Sequence, residues 1–141
     1  MTANYFVDSN ILLYAFMESS EKSKIANEII ETENIMLSTQ VINEVCINLI
    51  KKAKYSEAEI KQTIHNIYAN YEVALINQEI ILYASTLREN NCISYWDSLI
   101  VATAIKNNCK VVYSEDMQHQ KVFQNVKIMN PFTLLIDVKQ K

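Results

Sequence analysis

Residues 4–16 read NYFVDSNILLYAF, which carries a strand, an acid, a turn and a helix in succession. Its β-branched and aromatic start is typical of a short strand, and Asp8 ends that strand. A Ser-Asn pair at residues 9–10 then leads into an apolar run with helical spacing. The stretch predicts a strand that feeds directly into a helix, with a carboxylate at the junction.

The same alternation continues along the rest of the chain. Further strands are predicted at 35–38, 110–113 and 127–129, and 73–76 is either a brief strand or a connection. Helical patterns fill the intervals at 20–34, 39–54, 80–91 and 96–108, and a capping box of Ser56 and Glu59 opens one more helix. This pattern predicts an α/β fold with a central parallel sheet of four or five strands flanked by helices. Ligands of such sheets bind beyond the carboxyl ends of the strands.

The 141 residues include no glycine, and this absence excludes several chemistries. P-loops, dinucleotide fingerprints and nucleophile elbows need glycine, because their backbone approaches a ligand closely or turns at positive φ. Asparagine is the usual substitute at helix ends, so we expect Asn90-Asn91 and Asn107-Asn108 to act as left-handed helix stops. The length predicts one domain over residues 1–141, with a core that needs no disulfides.

Cysteine spacing and charge limit the location and the partners. Cys46, Cys92 and Cys109 form no CxxC pair, and with only two histidines in the chain they indicate buried reduced thiols. We expect a cytoplasmic protein without a signal peptide or membrane span, because acids interrupt the apolar stretches. The net charge of −3, with Arg88 the one arginine, excludes nucleic-acid binding by charge alone. Such binding requires another source of positive charge, for example a metal ion.

Acidic residues recur where an apolar element ends or begins. Asp8 follows the first strand, Asp116 follows the 110–113 strand, and Asp97 opens the most hydrophobic helix. Glu44 lies early in the helix after the second strand. Because strand ends and helix starts converge at one edge of a parallel sheet, we expect these carboxylates to face one cleft. The simpler interpretations are helix capping by Asp97, Asx turns at Asp8 and Asp116, and a solvated Glu44.

A cluster of carboxylates needs a cation. Two carboxylates about 5 Å apart repel by roughly 3 kcal/mol at an effective dielectric of about 20, so several cannot all stay ionised alone. Oxygen ligands without histidine or cysteine favour Mg²⁺ or Mn²⁺. Such a metal polarises a phosphoryl oxygen and lowers the pKa of an attacking water. The acids therefore predict metal-dependent phosphoryl chemistry.

Four segments resemble, in order and approximate spacing, the acidic motifs of PIN-domain ribonucleases, most closely those of VapC-type toxins from bacterial toxin–antitoxin systems. They are VDSNIL at 7–12, NEV at 43–45, WDSLIVATA at 96–104 and SEDMQH at 114–119. The resemblance implies a PIN-like fold, a homodimer, a cognate antitoxin protein and Mg²⁺- or Mn²⁺-dependent cleavage of single-stranded or looped RNA. Gln120 departs from the pattern, because a glycine often follows the last motif.

The resemblance also implies roles for individual residues. The positions that match catalytic acids are Asp8, Glu44, Asp97 and Asp116. All except Glu44 match metal ligands, with Asp116 on the same or a second metal, and Glu44 is a further ligand or a water-positioning acid. The positions that match polar residues bonded to these carboxylates are Ser9, Asn10 and Ser114.

Several residues near the motifs have competing interpretations. Three lysines at the end of the Glu44 helix either contact RNA or interact with the helix dipole; they are Lys51, Lys52 and Lys54. We expect Tyr95 and Trp96 to pack in the core instead of stacking on bases, and Glu115 to be solvated. His119 is expected to be a loop or supporting residue and not a general base.

These features predict a metal-dependent endoribonuclease that uses a metal-activated water and acts as a toxin neutralised by an antitoxin. The alternative is a PIN-like binding or dimerisation module with little catalysis. A phospho-accepting receiver domain also places acids on a parallel sheet, but it needs an acceptor aspartate after a middle strand. The sequence has no aspartate between Asp8 and Asp97, so it does not fit this class.

Overall fold

The computed structural model describes residues 4–17 and 19–133, in which each of the first three strands is followed by two helices and the last three strands follow one another. The strands are β1 (Tyr5–Val7), β2 (Ile35–Ser38), β3 (Glu72–Ala74), β4 (Val111–Tyr113), β5 (Val122–Phe123) and β6 (Val126–Met129). The helices are α1 (Ser9–Met17), α2 (Glu21–Thr32), α3 (Thr39–Ala53), α4 (Glu57–Asn70), α5 (Gln78–Asn90) and α6 (Tyr95–Lys106).

The strands form one sheet in the order β3-β2-β1-β4-β6-β5. Every neighbouring pair is parallel except β5 with β6. The α/β class and the mainly parallel sheet are confirmed, and the segment around 73–76 contributes a true strand, β3. The prediction of four or five strands is wrong, because the described residues form six. The strand missed is β5, whose two residues are too few to show an alternating pattern.

Helix α6 is the central helix of the fold. Every residue from Ser98 to Ala104 is buried, as expected for a helix that is apolar nearly all round. It packs against α5 and against β4 and β6 of the sheet. The first turn of α6, which carries Asp97, is therefore held in a fixed position relative to the strand ends.

Two of the helix ends test the role expected for asparagine. Asn108 has φ of 60° and ends α6 in the left-handed region, as predicted. The prediction is wrong for Asn91, whose φ of −142° is extended. There the side chain terminates the helix, since the Asn91 amide donates to the Leu87 carbonyl oxygen at 3.0 Å. An asparagine side chain can satisfy a terminal carbonyl without any left-handed backbone.

The three cysteines differ in their exposure. Cys109 is buried and Cys46 half-buried, but Cys92 is exposed, so the buried-thiol prediction is wrong for Cys92. Its position in the short connection between α5 and α6 leaves it outside the core. Within residues 4–17 and 19–133, no helix is both long and apolar enough to cross a membrane.

The sheet order positions the functional edge. The chain passes from β1 to β2 on one side, whereas β4 lies on the other side of β1. The carboxyl ends of β1 and β4 thus border a topological switch point, where ligands of open α/β sheets bind. Asp8 follows β1, and residues 114–116 follow β4.

Candidate active site

Asp8 is a buried carboxylate between the ends of β1 and β4. Its side chain is 4% exposed, and its backbone N–H continues the ladder by donating to the Tyr113 carbonyl oxygen at 3.0 Å. Its carboxylate accepts hydrogen bonds from the Ser9 N–H at 2.8 Å and from the Ser114 hydroxyl at 2.9 Å. The pKa of Asp8 is nevertheless raised to about 6, mainly by burial and also by the nearby charges of Glu44 and Asp97, against the lowering effect of the two hydrogen bonds.

Asp116 lies in the loop after β4 and is held by the two polar residues that the motifs predict. The buried Ser114 hydroxyl donates to Asp8 and accepts the backbone N–H groups of Asp116 at 3.3 Å and Met117 at 3.4 Å. The Asn10 amide donates to Asp116 Oδ2 at 3.1 Å, and its oxygen accepts the Glu115 N–H at 3.3 Å. The ends of β1 and β4 are therefore joined by side chains as well as by the sheet.

Glu44 reaches the same edge from α3. Its carboxylate accepts the Ser9 hydroxyl at 2.9 Å and the Gln40 amide at 3.1 Å. The solvated interpretation is therefore wrong, because Glu44 is half-buried and fixed by two donors. Gln40 was missed from the sequence, although its spacing of four residues from Glu44 places both on one helix face. The other amide atom, Gln40 Oε1, is buried without a hydrogen-bond partner among the described residues.

Asp97 combines the two interpretations that the sequence left open. Its backbone N–H donates to the Ser94 hydroxyl at 3.2 Å, so Ser94 caps α6 as the capping interpretation requires. Its carboxylate also belongs to the acidic site. Burial raises the pKa of Asp97, and the charges of Asp116 and Glu44 raise it further, against a hydrogen bond from Ser94.

The mutual effects on pKa connect all four acids. Glu44 and Asp97 act on Asp8, and Glu44 and Asp116 act on Asp97. In the described part of the chain, however, no three acidic, histidine or cysteine side chains are grouped closely enough to hold a metal ion together. Mg²⁺ usually takes one or two protein carboxylates and completes its shell with water and substrate phosphate, so it does not require such a group. The all-oxygen donors, and the disfavoured ionised forms of Asp8 and Asp97, fit a hard divalent cation.

Two of the clefts that border the acids differ in polarity. A polar cleft of about 360 Å³ lies between α1 and α3, and its lining residues include Ser9, Asn10, Lys52 and Asp116. An apolar groove of about 530 Å³ lies on the other side of Glu44, and its lining residues include Gln40, Ile76 and Trp96. Of the three candidate RNA-contact lysines, Lys52 lines the polar cleft, whereas Lys51 and Lys54 do not.

The predicted core packing of the aromatic pair before Asp97 is wrong. Tyr95 is 50% exposed and Trp96 is 61% exposed. The two rings pack edge to face at 5.2 Å, and the Arg88 guanidinium lies 4.4 Å from the centre of the Tyr95 ring. The pair precedes the buried stretch of α6, which begins at Ser98, and therefore stays at the surface.

The prediction of a solvated Glu115 is also wrong. Its carboxylate forms a 2.5 Å ion pair with Lys22 and accepts the Tyr14 hydroxyl at 2.7 Å. Lys22 also lies 5.5 Å from the centre of the Phe132 ring. His119 is a loop residue, as expected. Its Nδ1 accepts the Asn130 N–H at 2.9 Å, which is a supporting contact. These contacts fix the loop that carries Asp116.

Comparison with known proteins identifies the family. The sequence profile of the PIN domain matches residues 5–124, which include all four acids. The chain belongs to the PIN domain family. No curated protein sequence matches this PIN domain.

Several solved structures share this fold. A toxin–antitoxin complex from Klebsiella pneumoniae has a TM-score of 0.71 at 18% identity, covering 91% of this chain and 98% of that chain. FitAcB from Neisseria gonorrhoeae has a TM-score of 0.67 at 15% identity, covering 91% and 98%. VapC20 from Mycobacterium tuberculosis, a toxin that cleaves the sarcin-ricin loop, has a TM-score of 0.66 at 15% identity, covering 80% and 90%. At these identities the likeness shows the shared PIN fold.

Proposed function

We propose that this PIN domain is a Mg²⁺- or Mn²⁺-dependent endoribonuclease that cleaves single-stranded or looped RNA. The observation that carries the proposal is the set of four carboxylates at the switch point, in which burial and neighbouring charges disfavour the ionised forms of Asp8 and Asp97. VapC-type PIN domains are ribonucleases, and PIN nucleases generally use divalent cations, which supports this reaction class.

The acids and their polar partners have different proposed roles. Asp8 and Asp97 are the residues that would hold the cation as principal ligands, and Asp116 would be a ligand of the same or a second metal ion. A bound Mg²⁺ or Mn²⁺ supplies Lewis-acid polarisation of the phosphoryl oxygen and a lowered pKa for an attacking water. Glu44 orients a water beside the cation site or adds a further ligand, and Ser9 and Gln40 hold its carboxylate for this purpose.

The supporting residues keep the acids in place without a substrate. Ser114 orients Asp8, and Asn10 orients Asp116. Such fixed partners reduce the reorganisation needed when charge develops on the phosphate. Ser9, Asn10 and Ser114 are thus proposed as positioning residues.

We further propose that residues 1–141 form one nuclease domain that acts in the cytoplasm as a homodimeric toxin bound by a cognate antitoxin. The similar structure from Klebsiella pneumoniae is itself a toxin–antitoxin complex. Large apolar side chains are exposed at Ile47, Ile50, Leu75 and Trp96, and such surfaces favour protein partners. Co-purification with the product of an adjacent reading frame tests the antitoxin, and sedimentation velocity of the free protein tests the dimer.

The catalytic assignment is tested by RNA cleavage with Mg²⁺, with Mn²⁺ and with EDTA. We expect metal-dependent cleavage by the natural protein and a loss of about 100-fold or more in Asp116→Asn and Glu44→Gln. Glu89→Gln, an exposed site on α5, is the matched control for a lost carboxylate and for contaminating nuclease. Cleavage that survives both site substitutions would overturn the assignment. RNA binding without cleavage would favour the binding-module alternative.

A further inference from the structure

We propose that the polar cleft between α1 and α3 guides the RNA strand to the acids and that Lys52 binds a phosphate of that strand. This inference rests on the proposed ribonuclease function and names the path and one contact of its substrate. It assigns RNA contact to Lys52 and not to the neighbouring Lys51 and Lys54.

The spacing along α3 leads from the acids to Lys52. Glu44, Asn48 and Lys52 are four residues apart and lie on one helix face. A rise of 1.5 Å per residue places Lys52 about 12 Å along the helix from Glu44. The cleft connects Lys52 with the acid Asp116, because its lining residues include Asn48 and Lys52 from α3 and Asp116 from the loop after β4.

The charges in the cleft favour an anionic strand. Glu115 lines the cleft, but its charge is neutralised by the ion pair with Lys22. Asp116, the other acid of the lining, is a proposed cation ligand, so a bound divalent ion offsets its charge. The groove on the other side of Glu44 has no lysine or arginine among its lining residues. The polar cleft is therefore the favoured route for a polyanion to reach the acids of a chain with net charge −3.

Lys52 itself is available for a phosphate. Its side chain is exposed and forms no ion pair or hydrogen bond with any residue of the described ranges. The competing explanation is a favourable interaction with the α3 dipole, which needs no ligand. Lys51 shares the same last turn but does not line the cleft, so it experiences the same dipole without the proposed contact.

The test compares RNA binding by Lys52→Ala and Lys51→Ala. Both are made in a Glu44→Gln background that suppresses cleavage, and a fluorescent single-stranded RNA is titrated by anisotropy with Mg²⁺ from 50 to 200 mM KCl. Each phosphate contact contributes about 0.7 to the slope of log K against log salt for a single strand. We expect Lys52→Ala to lose about this much slope and to bind severalfold more weakly at low salt. We expect Lys51→Ala and Lys52→Arg to keep the salt slope of the parent protein.

Cleavage kinetics in the otherwise natural protein give a second readout. Lys52→Ala should raise KM severalfold and change kcat little, since it removes a contact remote from the reacting phosphate. Equal salt slopes for Lys52→Ala and its parent would overturn the assignment of Lys52, and so would equal losses of slope in Lys52→Ala and Lys51→Ala. In either case, RNA cleavage by the natural protein would still support the proposed function. Absence of both RNA binding and cleavage in the parent proteins would overturn the two proposals together.

Discussion

The burial of Asp8 predicts a measurable pH dependence of stability in the metal-free protein. The pKa of Asp8 is raised from 3.8 to about 6, so the folded chain binds a proton there more tightly than the unfolded chain does. This contribution to stability is complete below pH 3.8 and is lost as the pH rises through 6. A shift of this size corresponds to about 3 kcal/mol in total, and somewhat less than half of it falls between pH 5 and pH 7.5.

Asp8→Asn removes this titration. The absolute stability of this variant is a poor readout. The Ser114 hydroxyl donates to Asp8 and already accepts two N–H groups, so the NH₂ group of the new amide would place a second donor opposite the hydroxyl proton. The informative quantity is the change with pH. We expect the natural protein to lose about 1 kcal/mol relative to Asp8→Asn between pH 5 and pH 7.5, measured by urea unfolding with EDTA. If the stability difference between the two proteins stays constant over this range, the pKa of Asp8 is not raised by burial.

The remaining predictions concern the cation, the α6 cap and the backbone. Mg²⁺ or Mn²⁺ at 100 times its dissociation constant should raise the free energy of unfolding by about 2.7 kcal/mol, and Asp8→Asn should reduce this gain in thermal denaturation. Asp97→Asn in EDTA should be neutral or stabilising because its charge is disfavoured, whereas Ser94→Ala should cost about 1 kcal/mol; a large loss for Asp97→Asn would leave only the capping role. Gln120 has φ of 68°, so Gln120→Gly should stabilise by up to about 1 kcal/mol in urea unfolding, while Gln118→Gly should destabilise, and a loss at both positions would contradict backbone strain.

Regular patterns made most of the fold predictable from the sequence. The alternation of apolar strands with helical stripes predicted the α/β class, and Ser56 with Glu59 forms the expected capping box at the start of α4. The convergence of strand ends in a parallel sheet was sufficient to bring Asp8, Asp97 and Asp116 to one edge. These inferences depend on local periodicity and on a general rule of topology, both of which a single sequence contains.

The features that were mispredicted depend on contacts between distant segments. Glu115 and Lys22 are 93 residues apart, so no local pattern indicates their ion pair. Trp96 is hydrophobic by composition, and its exposure follows from where α6 enters the core. Gln40 lies only four residues from Glu44, but Glu44 itself is fixed at the site by Ser9, which is 35 residues away in the sequence.

The order of the acids along the chain has a consequence for synthesis. Asp8 is made early, but its partner Ser114 and the loop acid Asp116 follow only after residue 113 and depend on pairing of β4 with β1. During translation the emerging chain therefore carries an incomplete set of acids until most of the domain has left the ribosome. The contacts that join Asp8 to the Asp116 loop therefore form only after β4 has paired with β1.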